Sequence, residues 1–124
     1  MPASRPEDMS SVWEQAFNSG DVEQVMALYE PDAVLIPEPG QVARGTDAIR
    51  QALLGFVGLK LPIRLENKRV LTSGDLAMVS NTWKMAGTGP DGSPLDLGGN
   101  TMEVLRRQPD GTWRYVFDDP FSMP

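Results

Sequence analysis

Apolar positions recur at helical spacing in the first half of the chain and alternate with polar ones in the second. Met9, Val12, Trp13, Ala16 and Phe17 mark one face of a helix predicted over Pro6–Asn18. Ser4 and Glu7 form a capping-box pattern ahead of it, and Pro6 suits a first turn. Gly20 suits a left-handed helix stop. Asp21, with Gln24 three residues on, is expected to cap a second helix over Val22–Tyr29, in which Val22, Val25, Met26 and Tyr29 repeat at helical spacing. Pro31-Asp32 breaks it, and Ala33–Ile36 is short and apolar enough for a buried strand. Thr46 is expected to cap a third helix over Asp47–Val57, ended by Gly58, with Ile49, Ala52, Leu53, Phe56 and Val57 on its apolar side.

From Lys60 onward the pattern changes to strands punctuated by Gly and Pro. Leu61–Leu71 alternates, which puts Ile63, Leu65 and Leu71 on one face, with Pro62 near a strand start or edge. Ser73-Gly74-Asp75 reads as a hairpin turn, Leu76–Ala86 as the next strand, and Gly87–Pro94 as a longer hairpin loop. Leu95–Gln108 reads as a strand with a bulge or bend at Gly98-Gly99. Pro109-Asp110-Gly111 is a tight turn, and Thr112–Asp118 closes the sheet. Three helices followed by long antiparallel strands predict an α+β fold, in one domain covering 1–124.

Composition narrows the chemistry. The chain has 124 residues, no cysteine and no histidine, and a formal charge of −6. Without cysteine there is no disulfide, thiolate nucleophile or thiolate metal site. Without histidine, acid–base work at neutral pH falls to Asp, Glu, Tyr, Lys or water. Neither a metal nor an organic cofactor is expected: no clustered ligand motif and no Gly-rich dinucleotide fingerprint is present. The acidic balance argues against nucleic acid and anionic membranes as partners. No apolar run is long enough to span a bilayer, and the N-terminus carries no apolar signal core, so a cytoplasmic protein is expected.

The order of helix stop, short capped helix, turn, buried strand and third helix, carried by residues 18–39 and by Gly45–Arg50, resembles the nuclear-transport-factor-2-like superfamily, in its ketosteroid-isomerase-like and SnoaL-like branch. The resemblance resumes at Val104–Arg114 and ends at Asp118-Asp119-Pro120-Phe121. It implies a curved, cone-shaped antiparallel or mixed sheet closed by the three N-terminal helices, a cystatin-like α+β barrel. It also implies a deep apolar pocket for a hydrophobic small molecule and a homodimer packed through the outer sheet face.

Isomerases of this branch move a proton next to a ketone with a general-base aspartate and an oxyanion hole of a tyrosine and a protonated aspartate. By that resemblance, the tyrosine's place is taken by Trp13, the base's by Pro37 or, with a one-residue shift, Glu38, and the protonated aspartate's by Glu103. Glu103 then faces an apolar cavity with a raised pKa, or faces solvent beside Arg106 or Arg69. Asp118 either lines the same pocket as a second carboxyl or caps the C-terminal turn; alternation sends Asp119 to the opposite face.

Trp83 matches a pocket aromatic of the family. Ala77, Val79, Asn81 and Met85 share its strand face, and Asn81 is the polar member that needs a partner or ligand. Tyr29 is a core residue whose hydroxyl is within reach of a pocket. With Thr101 and Phe121, these complete the candidate substrate-binding set: Trp13, Tyr29, Asn81, Trp83, Met85, Thr101 and Phe121. The catalytic candidates are Glu103, Asp118 and Glu38. Two functions follow. One is a cofactor-free isomerase, cyclase or dehydratase acting by proton transfer on a hydrophobic carbonyl compound. The other is a non-catalytic binding module for an apolar ligand, or a dimeric partner-docking domain. The sequence leaves open whether 120–124 closes the pocket.

Overall fold

The computed structural model describes residues 2–123, with the side chain of Met123 left aside; of the 120–124 segment, Pro124 lies outside the described residues. A 3₁₀ turn at Pro6–Asp8 leads into α1 (Met9–Asn18), followed by α2 (Val22–Met26), β1 (Tyr29–Leu35), β2 (Ala43–Arg44), α3 (Thr46–Val57), β3 (Ile63–Ser73), β4 (Leu76–Thr88), β5 (Pro94–Arg107) and β6 (Trp113–Met123). The six strands form one sheet in the order β2-β1-β6-β5-β4-β3. β1 and β6 run parallel and every other pair is antiparallel, so the sheet is mixed. The α+β architecture read from the sequence is the one observed.

The helices lie on one side of the sheet, and the core between them is filled by Met9, Phe17, Val25, Ile49, Leu53, Leu105, Trp113 and Tyr115, all buried. Burial of such side chains is the main favourable term in folding. α1 is also tied to the edge strand β3. The Asn18 amide donates to the Ile63 carbonyl at 3.0 Å and accepts from the Ile63 N–H at 2.8 Å, while Glu14 accepts from the Leu65 N–H at 2.6 Å. These side chains occupy backbone groups that an edge strand otherwise leaves unpaired.

Several local expectations are corrected. Tyr29 opens β1 rather than ending α2, and Pro31-Asp32 lies within that strand. Asp21 does cap α2, accepting from the Glu23 N–H at 3.0 Å. The Ser4–Glu7 box does not form; Arg5 precedes the 3₁₀ turn and pairs with Asp8 at 3.1 Å. Gly45, at φ +85°, caps α3, and Thr46 is its first residue. Leu71 does not share a face with Ile63 and Leu65. An extra residue, Lys68, interrupts the β3–β4 register between Asn67↔Asn81 and Arg69↔Ser80. That bulge turns Val70 inward and Leu71 outward.

Gly98-Gly99 is not a bulge either. The β4–β5 register runs through Lys84↔Gly98 and Trp83↔Gly99 without a shift. The glycines are there for space. A Cβ on Gly98 would stand 2.8 Å from the Trp83 carbonyl oxygen, and one on Gly99 would stand 3.1 Å from the Pro120 carbonyl oxygen and 3.2 Å from Trp83 Nε1. Gly98→Ala is therefore expected to push β4 and β5 apart and cost about 1–3 kcal/mol. Gly55→Ala, whose Cβ meets nothing within 4 Å in the helix, is expected to be neutral or to stabilise by up to about 1 kcal/mol. Urea midpoints of the two variants check both signs.

Candidate active site

A cavity of about 60 Å³ lies between the concave sheet face and helices α1 and α3. Its apolar wall comes from Trp13 and Phe17 of α1, Leu53 and Phe56 of α3, and Ile63, Leu65, Trp83 and Met85 of the sheet. Trp13 and Phe17 stack one helical turn apart, with centroids 5.1 Å apart. The opposite wall is polar and belongs to adjacent strands: Asn81 of β4, Thr101 and Glu103 of β5, and Asp118 of β6.

Strand register brings the two carboxyls together. Glu103 pairs directly with Asp118 across the β5–β6 ladder, and both side chains line the same cavity. Glu103 is 4 % exposed and Asp118 7 %. Asp118 faces inward because β6 carries a bulge. Leu105 pairs with Tyr115 but Val104 pairs with Phe117, so Val116 is an extra residue and the alternation changes phase there. Tyr115 and Asp118 both point inward as a result, while Phe117 is exposed.

The hydrogen bonds around this pair have a direction. Trp13 Nε1–H can only donate, and it donates to the Tyr29 hydroxyl oxygen at 3.1 Å. The Tyr29 hydroxyl in turn donates to Asp118 Oδ2 at 2.5 Å. On the other side, Ser10 Oγ at 2.8 Å and Asn67 Nδ2 at 3.1 Å both donate to Asn81 Oδ1. That leaves Asn81 Nδ2 to donate to Glu103 Oε1 at 3.1 Å, joined by Thr101 Oγ1 at 2.9 Å. Glu103 Oε1 is thus filled by two donors, which leaves Oε2 as the oxygen free to carry a proton. Among the described residues no buried side-chain polar atom is left unpartnered.

Electrostatics agree with that assignment. Burial, then the negative charge of Asp118, pushes the Glu103 carboxyl well above the usual carboxylate range, against the pull of the Thr101 hydrogen bond. Burial raises Asp118 too, to about 6, with the hydrogen bonds from Tyr29 and Glu103 restraining the rise. Burial raises the Tyr29 and Tyr115 hydroxyls well above the ordinary tyrosine range. Burial and the neighbouring charge thus favour a proton held on Glu103, suited to donate, beside Asp118, suited to accept.

Of the sequence-derived candidates, Trp13, Asn81, Trp83, Met85, Thr101, Glu103 and Asp118 line the cavity. Tyr29 stands behind Asp118 and reaches it through its hydroxyl. Trp13 N–H is engaged with Tyr29 rather than directed at the cavity, so the lining donors nearest the carboxyls are Asn81 and Thr101. Phe121 packs edge-on against Trp83, centroids 5.8 Å apart, and lines a neighbouring groove instead. Glu38 is exposed on the rim of that groove.

Sequence reasoning did not assign Tyr115, Leu35 and Pro120 to the cavity. Tyr115 was signalled only by its place in an apolar-alternating strand, and Pro120 by nothing in its residue type. Pro120 accepts a hydrogen bond from Trp83 Nε1 at 2.7 Å, so this part of the C-terminal segment does wall the cavity. Among the described residues, no group of three or more His, Cys, Asp or Glu side chains could hold a metal ion, and no helix is long and apolar enough to cross a membrane.

A curled mixed sheet with helices over its concave face, and titratable groups at the bottom of the hollow, is the NTF2-like cone fold. The chain belongs to the SnoaL-like domain family, whose model matches residues 12–116. Solved structures agree. A ketosteroid isomerase-like protein from Erwinia carotovora atroseptica is 27 % identical, with a TM-score of 0.80 over 91 % of this chain and 89 % of that one. An NTF2-like superfamily protein from Salmonella enterica serovar Typhimurium is 18 % identical, with a TM-score of 0.78 over 91 % and 87 %. A candidate dehydratase of the NTF2-like family from Streptomyces avermitilis is 20 % identical, with a TM-score of 0.73 over 91 % of each chain. No curated protein matches the sequence significantly.

Proposed function

We propose that this protein is a cofactor-free proton-transfer enzyme of the isomerase, cyclase or dehydratase type, acting on a hydrophobic carbonyl compound. The observation that carries this reading is the buried Glu103–Asp118 pair, in direct register on adjacent strands, at the polar end of an apolar cavity.

In this scheme the substrate carbonyl accepts a hydrogen bond from the protonated Glu103 carboxyl. The Asp118 carboxylate removes a proton from the carbon next to the carbonyl. The C–H electron pair moves into the carbonyl system, and Glu103 stabilises the developing oxyanion by hydrogen bonding. Asp118 then returns the proton to another carbon, or the enolate expels a leaving group that Glu103 protonates. Tyr29 holds Asp118, and Asn81 with Thr101 holds Glu103, so neither carboxyl has to reorganise. The test is exchange of α-protons of ketones such as acetone and 1-tetralone in D₂O, followed by NMR. Enzyme-dependent exchange is expected; exchange in Asp118→Asn at the wild-type rate would overturn the assignment.

A second reading, a dimeric docking role, has its own observation and is compatible with the first. Leu71, Met78, Val104 and Phe117 lie in one row across β3, β4, β5 and β6 on the convex face, in mutual register. Leu71, Met78 and Phe117 are 49 %, 45 % and 50 % exposed. An apolar row of this kind marks an interaction surface, and the self-association that the fold family implies would cover it. Sedimentation velocity is expected to give a dimer for the wild type and a monomer for Phe117→Lys combined with Met78→Lys. A wild type that stays monomeric at high concentration removes this reading.

A further inference from the structure

The cavity is small for a substrate. Its volume of about 60 Å³ is well below the roughly 300–1,000 Å³ of sites for drug-sized ligands. A second depression of about 450 Å³ adjoins it, and Phe56 and Trp83 line both. Its floor is apolar, with Ala52 and Leu59 of the α3 region opposite Leu97 and Phe121 of the sheet. Among the described residues lining cavity and groove, none is cationic; Glu38 sits at the groove rim, and Glu103 and Asp118 at the cavity end. At Gly98 the sheet wall has no side chain, and Gly55 leaves α3 open on the groove side, since a Cβ there meets nothing within 4 Å.

We infer that the groove holds the body of the substrate, an uncharged ring system of about two fused rings, while its carbonyl end passes between Phe56 and Trp83 to the Glu103–Asp118 pair. The inference rests on the proton-transfer reading for the role of that pair, and adds the size and charge class of what it acts on. The shared walls give continuity. The volumes fix the division, with only an acetone-sized fragment fitting the cavity. Charge fixes the class: an anionic substituent would enter a site that offers it three carboxyl groups and no cation. The Trp83 side chain borders both spaces, its indole N–H donating to the Pro120 backbone carbonyl at 2.7 Å with Phe121 against its edge, so joining the two spaces calls on that side chain to move.

The test uses 1-tetralone as the probe, its 6-carboxylate derivative as the charged counterpart, and Gly55→Phe as a variant that fills the groove from a helix. Gly55→Ala, with the groove still open, controls for the helix. Tryptophan fluorescence quenching reads binding, and α-proton exchange of tetralone and of acetone in D₂O reads chemistry. Binding of 1-tetralone is expected in the wild type and in Gly55→Ala. It should weaken at least tenfold in Gly55→Phe, and the 6-carboxylate derivative should bind the wild type at least tenfold more weakly than 1-tetralone does. Acetone exchange by the wild type reads the Glu103–Asp118 pair on a ketone that has no ring body. Equal tetralone affinity in Gly55→Phe, equal affinity for the carboxylate, or no tetralone binding by the wild type overturns the inference. Groove-sensitive binding without exchange of either ketone would leave the inference standing and remove the proton-transfer reading. Exchange of both ketones unaffected by Gly55→Phe would do the reverse.

Discussion

Asp118→Asn is expected to lower ketone α-proton exchange by about 10²–10⁴-fold, the usual contribution of a positioned acid–base group. Asparagine keeps an oxygen in place to accept from Tyr29 and from Glu103, so the geometry survives and only the base is lost. Glu103→Gln should cost less, because an amide still donates to the oxyanion, although it has no proton to give a leaving group. In the wild type, exchange should rise with pH as Asp118 ionises around its raised value of about 6, and fall at higher pH as Glu103 loses its proton. The rising limb should be missing in Asp118→Asn. A rising limb that persists there would assign it to another group.

Stability should move the opposite way. The Asp118 carboxyl holds its proton to about pH 6 in the folded chain, against an ordinary value of 3.8. Between those pH values the folded state binds more protons than the unfolded state, so stability falls as pH rises through this window. The difference is worth roughly 3 kcal/mol, on the order of 10 °C in melting temperature for a chain of this size. Glu103, raised in the same direction, extends the fall to higher pH. Asp8, Glu23, Glu66 and Asp110 are shifted downward by partners at the surface and act in the opposite sense, but they are fully exposed and screened by salt. A melting temperature lower at pH 8 than at pH 5 is therefore expected. The Glu103→Gln/Asp118→Asn double variant should lose most of that slope and melt higher than the wild type at pH 8. A wild-type melting temperature that rises steadily from pH 5 to pH 8 would mean that the pair is not buried in this way.

The architecture was legible because hydrophobic spacing and Gly and Pro punctuation carry most of it. The errors cluster where a local pattern is too short to decide. Four apolar residues at helical spacing placed Tyr29 in α2, but α2 ends after five residues, and the parallel partner β6 claims Tyr29 for β1. Alternation failed at Leu71 because an inserted Lys68 leaves no mark on the hydrophobic pattern.

Glu103 was found through family resemblance, and its raised pKa follows from burial that composition alone does not reveal. The Tyr29–Asp118 bond joins residues 89 apart in sequence and depends on the register of a parallel pair, which no local signal encodes. Glu38 was named from a count along the chain; the turn after β1 carries it to the exposed rim instead.

The extra residue at Val116 makes the chemistry of the hollow depend on the length of β6 as much as on its composition. Without a bulge at that residue the same sequence would alternate regularly through Val116, turning Phe117 inward and Asp118 outward with every amino acid unchanged. A residue inserted into the last strand with no bulge to absorb it would likewise exchange an acidic floor for a greasy one. Within this fold, a gain or loss of acid–base activity is therefore open to insertion and deletion in the strand. Descendants that differ in reaction would keep nearly the same residue content and differ in phase.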